Sequence, residues 1–110
     1  LNTQIDFYTE NYGSTGWFGF TFYFNANGAD NSGGYPTKNY TFCTIKLNTY
    51  TGFTPMKNTW TGITTHEIGH AFGLSHYSGS SSLMNADIAY MNTPTAITSD
   101  EISGIRSLYQ

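Results

Sequence analysis

Short apolar bursts and polar turns alternate over the first half of the chain, and the period changes near residue 60. Three runs rich in aromatic or β-branched residues, Gln4 to Tyr8, Trp17 to Phe24 and Tyr40 to Leu47, have the composition of strands. Turn formers separate them, first Asn11 to Gly16 and then the longer Asn25 to Gly34. Their glycines permit positive φ, and their Asn and Asp side chains cap their own turns. Beyond residue 60 the spacing is helical. Thr61 to Thr65 supplies N-cap candidates, Ile63, Ile68, Ala71 and Phe72 supply apolar positions, and Gly73 ends the run. A second helix opens on the capping-box pattern Thr98-Ser-Asp-Glu101, with Thr98 or Ser99 as N-cap and carboxylates facing the positive end of the helix. Ile102, Ile105, Leu108 and Tyr109 then fall at helical spacing and predict one buried face. The expected class is α+β, with residues 1–60 forming sheet and 61–110 forming helices.

Composition narrows the choice of partner and compartment. A chain of 110 residues with no repeat, Pro-rich linker or charge block reads as one domain. Its net charge of −3 offers no basic stripe for phosphates, which argues against nucleic acid. No run approaches the roughly 18 apolar residues of a membrane span. An aromatic content of 17% supplies enough buried area to exclude disorder. The single cysteine, Cys43, permits no intrachain disulfide and reads as a buried, inert thiol, so stability must come from the core or from a metal. The surplus of Asn, Thr, Ser, Gly and Tyr over Lys and Glu has the look of a secreted protein. Residue 1 is Leu and no cationic, apolar leader follows it, so any signal peptide or pro-segment is expected to have been removed or to lie outside this sequence. In the loop Asn25 to Gly34, Asp30 and its neighbouring amides are hard oxygen donors of the kind calcium takes.

All three histidines fall inside His66-Glu-Ile-Gly-His70-Ala-Phe-Gly-Leu-Ser-His76. On a helix His66 and His70 stand one above the other, where both imidazoles reach one zinc ion. Glu67 points about 100° away from His66, outside the ligand set but placed to take a proton from water at the metal. A straight helix cannot supply a third facial imidazole. Gly73 can take the left-handed conformation, end the helix and let His76 approach from another direction. A histidine pair alone could be ordinary helix surface, but the third histidine and the intervening glycine make the pattern hydrolytic machinery: three ligands, an open fourth position and a general base.

His-Glu-x-x-His-x-x-Gly-x-x-His followed by a methionine turn resembles the signature of metzincin zinc peptidases, and Ser82-Leu83-Met84 is similar to the matrixin version of that turn. Asp100 to Tyr109 is similar to the C-terminal helix of matrix metalloproteinase catalytic domains. The resemblance implies a twisted mixed sheet with an active-site helix and a C-terminal helix. It also implies a metalloendopeptidase holding one zinc, with Met84 as an apolar floor beneath the ligands. Trp17 to Phe24 becomes the antiparallel edge strand above the cleft. There an extended peptide pairs along Phe18, Gly19 and Phe20, and Asn85 to Tyr90, with Tyr90 at its end, walls the pocket for an apolar residue after the scissile bond. Tyr77 and Tyr90 are phenols close enough in sequence to steady an oxyanion. The chain departs from the family in three ways: two strands and a long helix are expected before Gln4, the histidines of a second structural zinc are missing, and Asn85 to Tyr90 replaces a Pro-x-Tyr wall. An inactive zinc-binding remnant and a carbohydrate-binding module built on Trp17, Trp60 and the tyrosines are the competing readings.

Overall fold

The computed structural model describes residues 4–30, 39–52, 59–78, 82–88 and 96–109. Four strands, β1 (Gln4–Glu10), β2 (Gly19–Asn25), β3 (Gly28–Asp30) and β4 (Phe42–Asn48), form one mixed, twisted sheet in the order β1-β4-β2-β3. β4 is central, running parallel to β1 and antiparallel to β2. Two helices, α1 (Thr59–Ala71) and α2 (Ser99–Tyr109), complete an α+β fold.

Residues sharing a register share a face. Pairing puts Ile5, Cys43, Ile45, Leu47, Gly19, Thr21 and Tyr23 on one side of the sheet. α1 packs there: Tyr23, Cys43, Ile45 and Ala71 form one buried cluster, and Ile63, Leu83 and Ile88 form a second. Burial pushes the Cys43 thiol up to about 11, which keeps it protonated and unreactive. Phe20, Phe22, Phe24 and Phe42 lie on the opposite face, where Phe24 and Phe42 stack at 4.6 Å and the Lys46 ammonium sits over Phe22. β2 therefore turns its phenylalanines away from α1 and its Gly-Thr-Tyr side toward it.

Three hydroxyl or phenol groups tie the sheet side to α1 carbonyls. Thr21 Oγ1 lies 3.0 Å from Glu67 O, Tyr23 OH donates to His70 O at 2.8 Å, and Tyr40 OH donates to Ala71 O at 2.5 Å. These bonds set the helix in register along the strands. Asn48, fully buried at the end of β4, accepts from the Tyr12 and Tyr50 amides and donates to Gly13 O and Thr15 Oγ1. It holds the 11–17 turn that delivers the chain into β2.

Several elements depart from the sequence expectations. β2 begins at Gly19, not Trp17, and it is an edge strand only in part: β3 pairs with Tyr23 to Asn25. β3 itself falls inside the expected loop Asn25 to Gly34, because Ala26 and Asn27 close a two-residue hairpin there. The calcium expectation on that loop extends into residues 31–38, outside the described residues. α1 starts at Thr59, so the threonines read as caps lie inside it. Thr64 and Thr65 donate to carbonyls one turn back, a bond that competes with capping. The apolar stripe of α2 is not buried: Ile102 is 42% exposed, Leu108 53% and Tyr109 63%, while Ile105 is half-buried. The buried residue of that helix is Glu101, so α2 docks through a carboxylate at its N-terminus.

Candidate metal centre

His66 and His70 project from one face of α1 with ring centroids 4.7 Å apart. The helix ends in a Schellman motif. Gly73 takes φ +98°, its N–H donates to His70 O at 2.8 Å, and Leu74 N–H donates to Gly69 O at 3.0 Å. The reversal returns His76 to the other two rings. The three Nε2 atoms then lie 3.1, 3.2 and 3.2 Å from one another. Ligands about 2.05 Å from a tetrahedral ion stand about 3.3 Å apart, so the triangle matches one face of a zinc tetrahedron.

The far ring atoms settle which nitrogens can ligate. His66 Nδ1 is 2.5 Å from Leu83 O and His70 Nδ1 is 2.7 Å from Leu74 O. A carbonyl only accepts, so both Nδ1 atoms carry the proton and both Nε2 lone pairs point inward. Burial, and then the neighbouring His70, pull His66 down to about 3, and burial pulls His70 down to about 4. Burial also lowers His76, against the pull of Asp87. Neutral imidazoles with converging lone pairs are the donor set zinc takes.

Glu67 lies on the adjoining face of α1, nearly buried beneath β2. Burial pushes its carboxyl up to about 7, opposed by Thr21 Oγ1 at 2.6 Å from Oε2. Gly19 is what admits it so close to the strand, since a Cβ there would stand 3.0 Å from Glu67 Cγ and 3.3 Å from Oε1.

Met84 is buried with its sulfur close to Gly69 of α1, the residue before His70. The turn that carries it is clamped by Glu101, whose Oε1 accepts from Ser82 Oγ at 2.7 Å and Leu83 N–H at 2.9 Å. Oε2 accepts from Thr98 N–H at 2.8 Å and from the Thr98 hydroxyl. Burial pushes Glu101 up, but these donors outweigh it and hold the carboxyl below its ordinary range. One carboxylate thus joins the α2 cap to Leu83, and Leu83 O steadies His66.

A family model for the matrixins matches residues 5–110, nearly the whole chain. The chain belongs to the matrixin family. No curated protein and no solved structure matches it. Matrixins are zinc metallopeptidases, and the three-histidine cluster fits the zinc site typical of the family. In this matrixin a cleft of about 320 Å³ lies in front of the cluster. It is lined by the three histidines, Glu67, Gly16 to Thr21, Ile63 and Ala86 to Ile88. Phe18, Gly19 and Phe20 therefore sit beside the histidines and Glu67, as do Ala86, Asp87 and Ile88 of the expected wall. Tyr90 lies outside the described residues. Tyr77 is not in this cleft, because its N–H is tied to Met84 O and its ring lines a neighbouring cavity. Thr21 and Glu101 were not among the expected site residues. A lone hydroxyl in the aromatic run of β2 was the available signal for Thr21, and the capping box marked Glu101 only as a helix start.

Proposed function

We propose that this matrixin is a secreted, zinc-dependent endopeptidase holding one zinc ion on His66, His70 and His76. The observation that carries the reading is the triangle of Nε2 lone pairs, with two of the rings pinned through Nδ1 to backbone carbonyls. When bound, zinc supplies Lewis acidity that polarises the scissile carbonyl and acidifies water. Glu67 is the general base. Its Oε1 takes the water proton on the cleft side, and burial has already brought the carboxyl into the range where it can both accept and return a proton near neutrality. Met84 fills the space below the ligands and keeps α1 from settling onto the turn.

The substrate lies as an extended strand along the stretch of β2 near Phe18, Gly19 and Phe20. Among the described residues no strand pairs with Gly19 to Phe22 on the side away from β4. Strand addition there supplies backbone hydrogen bonds and presents the carbonyl to the histidine cluster. Ala86, Ile88, Ile63 and Phe18 supply the apolar part of the cleft lining and favour an apolar residue after the scissile bond. Calcium, with Asp30 among its donors, is a separate proposal that equilibrium dialysis decides.

Metal content by mass spectrometry paired with casein cleavage tests the reading. We expect one zinc per chain, cleavage by the parent, and a Glu67→Ala variant that keeps its zinc while losing about 100-fold or more of its activity. A chain that binds zinc and cleaves nothing is an inactive remnant, and a zinc-replete solution with no bound zinc refutes the site. A cleavage-site profile dominated by Lys, Arg or Asp after the cut refutes the apolar pocket.

A further inference from the structure

The geometry points to Thr21 as the positioning residue for Glu67, its hydroxyl pinning Oε2 against β2 so that Oε1 is the oxygen left to face the cleft. The inference rests on Glu67 being the base. Thr21 is 2% exposed, and its Oγ1 lies 2.6 Å from Oε2 and 3.0 Å from the Glu67 carbonyl. It is locked to the sheet by pairing with Ile45 of the central strand. The carboxylate is thus held by the strand that also borders the cleft.

A free carboxylate rotates about its last bond and presents either oxygen. Here a half-turn only exchanges Oε1 and Oε2, and any smaller turn stretches the bond to Thr21 Oγ1, so one oxygen stays against β2 while the other is left toward the cleft. A hydroxyl also suits both states of a base in turnover, because it has one proton and two lone pairs. Facing a carboxylate, Thr21 donates to Oε2. Once Oε1 has taken a proton, Oε2 is the carbonyl oxygen of the acid and still accepts from Thr21, so the hold persists through both states.

The test uses two readouts. The chain has three glutamates, Glu10, Glu67 and Glu101, so selective ¹³Cδ-Glu labelling gives three carboxyl resonances, assigned with Glu67→Gln. In zinc-loaded protein, Thr21→Val should shift the Glu67 resonance and leave the other two in place, while Thr21→Ser should leave all three at their parent positions. In peptide cleavage, Thr21→Val should lower kcat about 10-fold or more with KM and zinc content held, and Thr21→Ser should restore kcat. Thr21→Ala, which also deletes the hydroxyl, gives the same reading if the valine variant folds poorly. A Glu67 resonance that ignores the hydroxyl, or a Thr21→Val enzyme that loses thermal stability but keeps kcat, overturns the proposal. An inactive parent overturns the peptidase reading by itself, and the spectra still decide Thr21.

Discussion

Gly19 of β2 and Glu67 of α1 meet where sheet and helix leave little room for a side chain. A methyl group at residue 19 would stand 3.0 Å from both Glu67 Cγ and Ile63 Cγ2, tighter than ordinary packing, and both neighbours are side chains that can yield by a few tenths of an ångström. Glu67 is the one that yields, because Ile63 is packed against Leu83 and Ile88. Gly19→Ala should therefore cost only about 1 kcal/mol in urea unfolding, yet lower kcat by about 10-fold with zinc content unchanged. A variant with parent kcat would mean that the strand, not the base, moves. The histidines and Glu67 were legible because their geometry is local: four residues along a helix fix two rings, and a glycine fixes the turn to the third. Thr21 was not, since it meets Glu67 across 46 residues of chain, a contact that only the pairing of β2 with β4 creates.

At the scale of elements, α1 is held by polar ties at the end where the ligands lie. Its last turn is gripped by Tyr23 and Tyr40, then reversed by Gly73. An L-residue at φ +98° is strained, and a Cβ on Gly73 would also meet Leu108 Cδ1 at 3.3 Å. Gly73→Ala should lower stability by about 1–2 kcal/mol and, by loosening the return of His76, weaken zinc binding in a chelator competition. Equal zinc affinity in parent and variant would show that His76 does not depend on this turn. Both helices and the three longer strands were readable from period and caps to within a few residues, whereas β3 was not, since Gly28 to Asp30 has the composition of a turn. The inner face of β2 was not, because its three phenylalanines point away from α1 while Gly19, Thr21 and Tyr23 point inward, the reverse of what hydrophobic patterning suggests. α2 misled for a related reason: the stripe from Ile102 to Tyr109 looks like a buried face, but it touches the fold only in part, through Leu108 near Gly73 and Tyr109 OH on Phe72 O, and the residue that is buried is Glu101.

For the molecule as a whole, the same burial that prepares the site ties its stability to pH. In the metal-free chain His66 and His70 titrate near about 3 and about 4, below the roughly 6.5 of an unfolded histidine. Between those values the unfolded chain binds protons that the folded chain refuses, so each histidine destabilises the fold as pH falls through 6.5. Glu67 acts the other way. Raised to about 7, it keeps a proton in the fold that the unfolded chain releases above about 4.3, and so it favours the folded state toward the acid side. His66 and His70 against one glutamate leave a net difference of about one proton near pH 5, or about 1.4 kcal/mol per pH unit, which shrinks toward pH 6.5; His76, also lowered, adds in the same direction, so stability rises as pH rises. Below that window Glu101 joins the histidines: its folded carboxyl is depressed, so the stability it lends is present above about pH 4.3 and disappears as pH falls through its folded value. Zinc raises the folded state's stability at each pH by adding its binding free energy, and because it takes only proton-free Nε2 lone pairs that gain itself grows as pH rises. Urea unfolding of the protein after chelator treatment, run from pH 4 to pH 7 and repeated with excess zinc, checks this: the metal-free midpoint should climb toward neutrality and the zinc-loaded midpoint should lie higher at each pH above about 5. A metal-free protein most stable at pH 4.5 would mean that Glu67, not the histidine pair, dominates the acid response.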